Sequence, residues 1–79
     1  MLHNIAEDER LELGSTGDSV EQLQVTLKEL GFAPGAADGN FGPLTEAAVV
    51  AFQQSNGLSV DGRVGPETAA ALNSALATG

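Results

Sequence analysis

The chain has no cysteine, so no disulfide can staple it, and His3 is its only histidine, which leaves no ligand set for a zinc cluster. The missing cysteines are compatible with a reducing or an oxidising compartment. Bases are scarce as well. Arg10, Lys28 and Arg63 stand scattered against eleven acids, for a net charge of −8. A grip on nucleic-acid phosphates needs clustered Lys and Arg, so DNA and RNA are excluded as partners, and an anionic membrane surface with them. There is no Trp and no Tyr, so flat aromatic platforms are lacking. No apolar run approaches the ~20 residues that membrane insertion requires. The opening MLHNIAEDER has neither a basic region nor a hydrophobic stretch, and no secretory signal is expected there.

What is present points to one small folded module. The hydrophobic fraction of 42% over 79 residues is too high for a disordered chain, and the length allows only one domain. A core of this size contributes only about 3–5 kcal/mol of net stability, so tight turns and close helix packing must support it. Residues 1–12 carry Glu7, Asp8, Glu9 and Glu12 against Arg10, with irregularly spaced apolar residues, and read as an acidic tail or linker before a domain at 13–79. A short helix from Ile5 to Leu13 is the alternative. Leu11 and Leu13, alternating with Glu12, are expected to make the first extended contact with the body.

From Gly14 onward the punctuation is regular. Asp18 is expected to cap a helix, with Glu21 returning a bond to it in a capping box. Val20, Leu23, Leu27 and Leu30 follow at helical spacing, and Gly31 stands where a left-handed residue ends a helix, with Phe32 folding back. The first helix is therefore expected at 18–30. The rest contains an internal repeat. DGNFGPLTEAAV (38–49) and DGRVGPETAAAL (61–72) share the frame Asp-Gly-x-apolar-Gly-Pro-x-Thr-x-x-Ala at an offset of 23. Each Asp-Gly is a turn dipeptide, Phe41 and Val64 turn inward, and each Gly-Pro opens a helix with proline where a missing N–H is harmless. The expectation is an all-α fold, a compact three-helix bundle with helices near 18–30, 43–56 and 66–77 and two equivalent DG-x-x-GP turns side by side.

The frame Val20-x-x-Leu23-Gln24-x-x-Leu27-x-x-Leu30-Gly31-Phe32, followed by DGNFGPLT (38–45), Ala48-Val49-x-x-Phe52-Gln53, Gly57-Leu58 and DGRVGPET (61–68), closely resembles the peptidoglycan-binding-domain-like family. That family is a small three-helix module attached to many bacterial and phage cell-wall hydrolases, and a related helical fold occurs in matrix metalloproteinase propeptides. The resemblance covers about 13–76. It implies a non-catalytic module that targets an associated hydrolase to murein, with peptidoglycan as partner (glycan strand or stem peptide) and a cell-wall or other extracytoplasmic location. A monomer, or a module of a larger protein, is expected. The rival reading is a structural, protein-docking role for the same fold in a larger assembly.

The candidate ligand contacts are Asp38, Asn40, Asp61, Arg63, Gln24 and Thr45. Asp38 and Asp61 cap their own turns first, and one of them is a candidate to face the ammonium of a stem-peptide diamino acid. Asn40 and Arg63 occupy the uncommitted third position of each turn, where the backbone is fixed and the side chain is left over for recognition. Arg63 suits a stem-peptide carboxylate. Gln24, of the family's Leu-Gln pair, is expected to bond loop backbone, and Thr45 to tie the first helical turn. No catalytic set emerges, because the serines of the folded part lack a histidine base. A calcium loop fails too. Aligned on Gly39, the first, third and twelfth loop positions are Pro34, Ala36 and Thr45; aligned on Gly62 they are Gly57, Ser59 and Thr68. No cofactor is expected.

Overall fold

The computed structural model describes residues 10–78, with no account of the side chains of 77 and 78; the proposed tail helix at 5–13 falls largely outside this range. Three helices follow in order: α1 (Asp18–Glu29), α2 (Pro43–Ser55) and α3 (Pro66–Thr78). Each lies within two residues of its expected bounds. Val20, Leu23 and Leu27 of α1, Val49 and Phe52 of α2, and Ala69 and Leu72 of α3 close on one another with Phe41 and Val64 between them. Burying a Leu or Phe side chain contributes about 1.5–3 kcal/mol, so this cluster is the main stabilising term. Phe32 adds an edge-on contact to Phe52, ring centres 5.6 Å apart at 83°.

The C-terminal ends of α1 and α2 use one device. After α1, Gly31 adopts φ 93° while Phe32 N–H reaches Leu27 O at 2.8 Å and Gly31 N–H reaches Lys28 O at 3.1 Å. After α2, Gly57 adopts φ 68°, Leu58 N–H reaches Gln53 O at 2.9 Å and Gly57 N–H reaches Gln54 O at 3.4 Å. Both are Schellman closures, in which a left-handed residue satisfies the last free carbonyls and sends an apolar residue back onto the core.

The start of α1 differs from expectation. Gly17, not Asp18, holds the cap position, and no side chain caps the helix. The reason lies in the preceding chain. Gly17 N–H donates to Gly39 O at 2.9 Å, and its own carbonyl accepts from Glu21 N–H at 3.1 Å, so the helix is already entered at residue 17. Asp18 and Glu21 both fall in the first turn, where their charges favour the positive end of the helix dipole.

That preceding chain is a strap that joins both Asp-Gly turns. Leu11 and Val64 exchange both backbone hydrogen bonds, at 2.9 and 2.7 Å. Farther along, Gly14 N–H donates to Phe41 O and Phe41 N–H donates to Ser15 O, at 3.0 and 2.9 Å. Between the two contacts the strap bends through a turn closed by Ser15 N–H on Glu12 O at 2.8 Å. Leu11 makes the extended contact expected of it and is core, at 4% exposure, because pairing with Val64 points it inward. Leu13, expected beside it, is 54% exposed, because it rides on the bend.

Candidate functional site

Each Asp-Gly turn is built around a buried glutamine from a neighbouring helix. At the first turn, the Gln24 amide nitrogen donates to Asn40 O at 2.9 Å and Thr45 Oγ1 at 3.0 Å, with Asp38 Oδ1 at 3.4 Å. Its oxygen accepts Gly39 N–H at 2.9 Å. At the second turn, the Gln53 nitrogen donates to Asp61 Oδ1 and Arg63 O, both at 2.9 Å, and to Thr68 Oγ1 at 3.1 Å. Its oxygen accepts Gly62 N–H at 3.0 Å and Asp61 N–H at 3.2 Å. Primary amides are suited to this task because one group presents a donor face and an acceptor face together. Both glutamines are 1% exposed, so these bonds satisfy groups that water cannot reach.

The aspartates complete the turns. Asp38 Oδ1 accepts Asn40 N–H, and Asp61 Oδ1 accepts Arg63 N–H, each at 2.9 Å. Both carboxyls are held below the usual aspartate range. For Asp38 the backbone N–H of Asn40 is the main cause, opposed by partial desolvation and helped by Gln24. For Asp61 the backbone N–H of Arg63 leads, then the Gln53 amide, with the Arg63 charge adding a smaller share. Both turns therefore carry a fixed negative charge at neutral pH.

The candidate residues divide into two kinds. Gln24 and Thr45 are buried, and Thr45 also donates its hydroxyl to Pro34 O at 3.1 Å, so both hold the first turn in shape. Asp38, Asn40, Asp61 and Arg63 are exposed. The Asn40 side chain is exposed beside the Asp38 carboxyl, to which it contributes a weak side-chain hydrogen bond, whereas the Arg63 Nε lies 3.4 Å from Glu12 Oε1 in an ion pair open to solvent on both sides. Gln53 and Thr68 play at the second turn the parts of Gln24 and Thr45, and sequence reading undervalued them. The signal was available, since Gln53 precedes its turn as a buried-stripe residue just as Gln24 does.

The groove found among the described residues does not join the two turns. A shallow groove of about 140 Å³ runs beside the first turn alone, lined by Gln24, Pro34, Gly35, Ala36, Asp38, Asn40, Gly42, Pro43, Leu44 and Thr45. Asp61 and Arg63 are not part of it. Among the described residues, no group of three or more His, Cys, Asp and Glu is placed to hold a metal ion. No helix there is long and apolar enough to cross a membrane.

Three buried-core helices tied by paired glutamine-centred turns describe a particular class of small module, and comparison with known proteins gives its kin. Residues 16–72 match the family described as "Putative peptidoglycan binding domain". The chain belongs to that family. It is 46% identical over 56 residues to the N-acetylmuramoyl-L-alanine amidase CwlM of Mycobacterium tuberculosis, covering 71% of this chain and 14% of that protein. It is 45% identical over 65 residues to a spore cortex-lytic enzyme of Halalkalibacterium halodurans, covering 82% of this chain and 20% of that one. Among solved structures, the SleB N-terminal domain superposes with a TM-score of 0.83 at 40% identity, covering 86% of this chain and 93% of that one. The chain thus spans only a small part of the curated relatives' length, but nearly the whole of a separately crystallised domain.

Proposed function

We propose that this chain is a non-catalytic, monomeric peptidoglycan-binding module that acts outside the cytoplasm and holds an associated protein, such as a wall hydrolase, close to murein. The observation that carries this reading is the family match over residues 16–72 to a unit that forms a minor share of lytic enzymes. The architecture supports it. The glutamine-centred turns fix backbone while Asn40 and Arg63 project from the same position of each turn, and Asp38 and Asp61 add charge beside them. A rigid backbone keeps the ordering cost of a contact low. With no aromatic platform, single-module affinity is modest, and tethering to a second binding unit raises it by effective concentration.

The test is co-sedimentation of the purified chain with isolated sacculi at low and moderate salt. The chain is expected in the pellet, with binding weakened by Asn40→Ala and unchanged by Glu29→Ala on the exposed face of α1. Absence from the pellet at both salt levels contradicts wall binding and supports protein docking, for which the exposed Leu13, Val25, Leu44 and Val60 are the available apolar residues.

A further inference from the structure

The two turns share their glutamine-centred bonds, yet their surroundings differ in one way that bears on recognition. Between the helix-ending glycine and the turn aspartate, the first connector has six residues, 32–37, and the second has three, 58–60. Phe32 and Leu58 take the same place in the two Schellman closures, so the extra length falls within 33–37. This added loop is the wall of the groove. Thr45 anchors it through Pro34 O at 3.1 Å, and Gly35, at φ +84°, comes so near Leu44 that an added Cβ would lie 3.1 Å from Leu44 Cδ1.

Among the described residues, the shorter 58–60 connector gives the second turn no such wall. There Glu67 stands where Leu44 stands in the first copy, Arg63 turns to Glu12, and the Glu46 side chain lies over Gly62, 3.1 Å from where a Cβ would be. The equivalent space is both uncovered by a loop and occupied by charge.

The groove's chemistry narrows its occupant. Leu44 is 65% exposed beside Pro34, Gly35 and Ala36, which makes an apolar surface for methyl-sized side chains. Asp38 is the one charged residue in the lining, and none of Arg10, Lys28 and Arg63 contributes. Its Oδ1 is used within the turn by Asn40 N–H and Gln24, and the carboxylate is otherwise exposed, with only the Asn40 side chain as a further partner among the described residues. The exposed Asn40 amide stands next to it. No aromatic ring lines the groove, and at about 140 Å³ it is smaller than the ~300 Å³ at which enclosed small-molecule sites begin. Sugar rings, which stack on flat faces, are poorly served. A short peptide is well served.

We infer that the groove between the 33–37 loop and the first turn is the module's ligand site, and that it takes a short peptide carrying a free side-chain ammonium flanked by alanine-sized residues. Leu44, Pro34 and Ala36 receive a methyl group, Asp38 pairs with the ammonium, and the Asn40 amide bonds the peptide backbone. The second turn is structural. This deepens the wall-binding reading and rests on it, since cross-linking peptides of murein contain a diamino acid beside alanines.

The test is an NMR titration of the chain with the synthetic pentapeptide L-alanyl-γ-D-glutamyl-L-lysyl-D-alanyl-D-alanine, its Nε-acetyl form, and peptide-free glycan strands. Saturating shifts are expected at the amides of Gly35, Ala36, Asn40 and Leu44, with none at Gly62 or Arg63. Loss of one hydrogen-bonded charge contact corresponds to roughly tenfold weaker binding, which is the change expected on acetylation. Asn40→Ala and Leu44→Ser should weaken the peptide similarly, while Glu67→Ser leaves it unchanged, and all three replace exposed side chains. Shifts at the second turn, shifts from glycan alone, or no change on acetylation overturn the assignment. Sacculi that pellet the chain while the peptide moves nothing sink this site but leave wall binding standing. Failure of both arms removes both.

Discussion

Replacing Gln53 with alanine is the sharpest perturbation of the scaffold. Its side chain makes five hydrogen-bond contacts between 2.9 and 3.2 Å, to Asp61, Gly62, Arg63 and Thr68. Not all of them are lost equally. Asp61 and Arg63 are exposed, so water can replace the amide there, whereas Gly62 and Thr68 are buried. Leaving the Gly62 N–H and the Thr68 hydroxyl unsatisfied costs about 1–3 kcal/mol each, and the void left by the truncated side chain adds to this. The two together are about 2–6 kcal/mol before the void is counted, against a total of about 3–5 kcal/mol for a module of this size. Gln53→Ala should therefore be largely unfolded at 25 °C, or melt tens of degrees lower at about 4–8 °C per kcal/mol. Gln53→Glu keeps the shape but sets a second acceptor opposite Asp61, and should be at least as damaging at neutral pH. Gln54→Ala, on the exposed side of the same helix, should stay within about 0.5 kcal/mol of the parent. Urea unfolding followed by far-UV circular dichroism measures all three. A Gln53→Ala variant within about 1 kcal/mol of the parent would refute the claim that the glutamine organises the turn.

Other outcomes follow from the same geometry. Gly31→Ala places a Cβ in open space at φ +93° and should cost only the left-handed strain, about 1–2 kcal/mol, whereas Gly39→Ala brings its Cβ to 3.2 Å from the Gly17 carbonyl and should cost more in the same urea assay. Arg63→Ala removes one exposed ion pair to Glu12 and should change the urea midpoint by no more than about 1 kcal/mol of stability; a larger loss would mean that the pair fastens the strap. Asp38 and Asp61 titrate below the usual value when folded, so their stabilisation is complete above the unfolded value of about 3.9 and is lost as pH falls through the lower folded values. The urea midpoint should be insensitive to these two groups between pH 7 and 5 and drop below about pH 4, with Asp61→Asn flattening part of that fall.

Much of this fold was legible because its signals are local. Glycines at 31 and 57, prolines at 43 and 66 and the stripe Val20–Leu23–Leu27 each state a backbone or burial preference that tertiary packing then obeys. The Asp-Gly turns were readable for the same reason, down to the aspartate bonding the backbone two residues on. The misses are long-range. Nothing near Asp18 reveals that Gly17 must pair with Gly39, which moves the helix cap back by one residue. Nothing near Leu11 and Leu13 shows that Val64 selects the first and a bend exposes the second. The site was half legible. Repeat alignment singled out Asn40 and Arg63 as equivalent, but the groove borders the first alone, because it depends on how the 33–37 loop lies against Leu44.

The most direct measurement is binding to isolated sacculi, titrated to saturation, for the parent chain and for Leu44→Ser and Glu67→Ser, two replacements at equivalent positions after the two turns. Both side chains are exposed, so folding should be equal, and circular dichroism checks that it is. Recognition at the first turn predicts that Leu44→Ser loses wall binding while Glu67→Ser matches the parent. Equal binding by all three, or loss confined to Glu67→Ser, would contradict it.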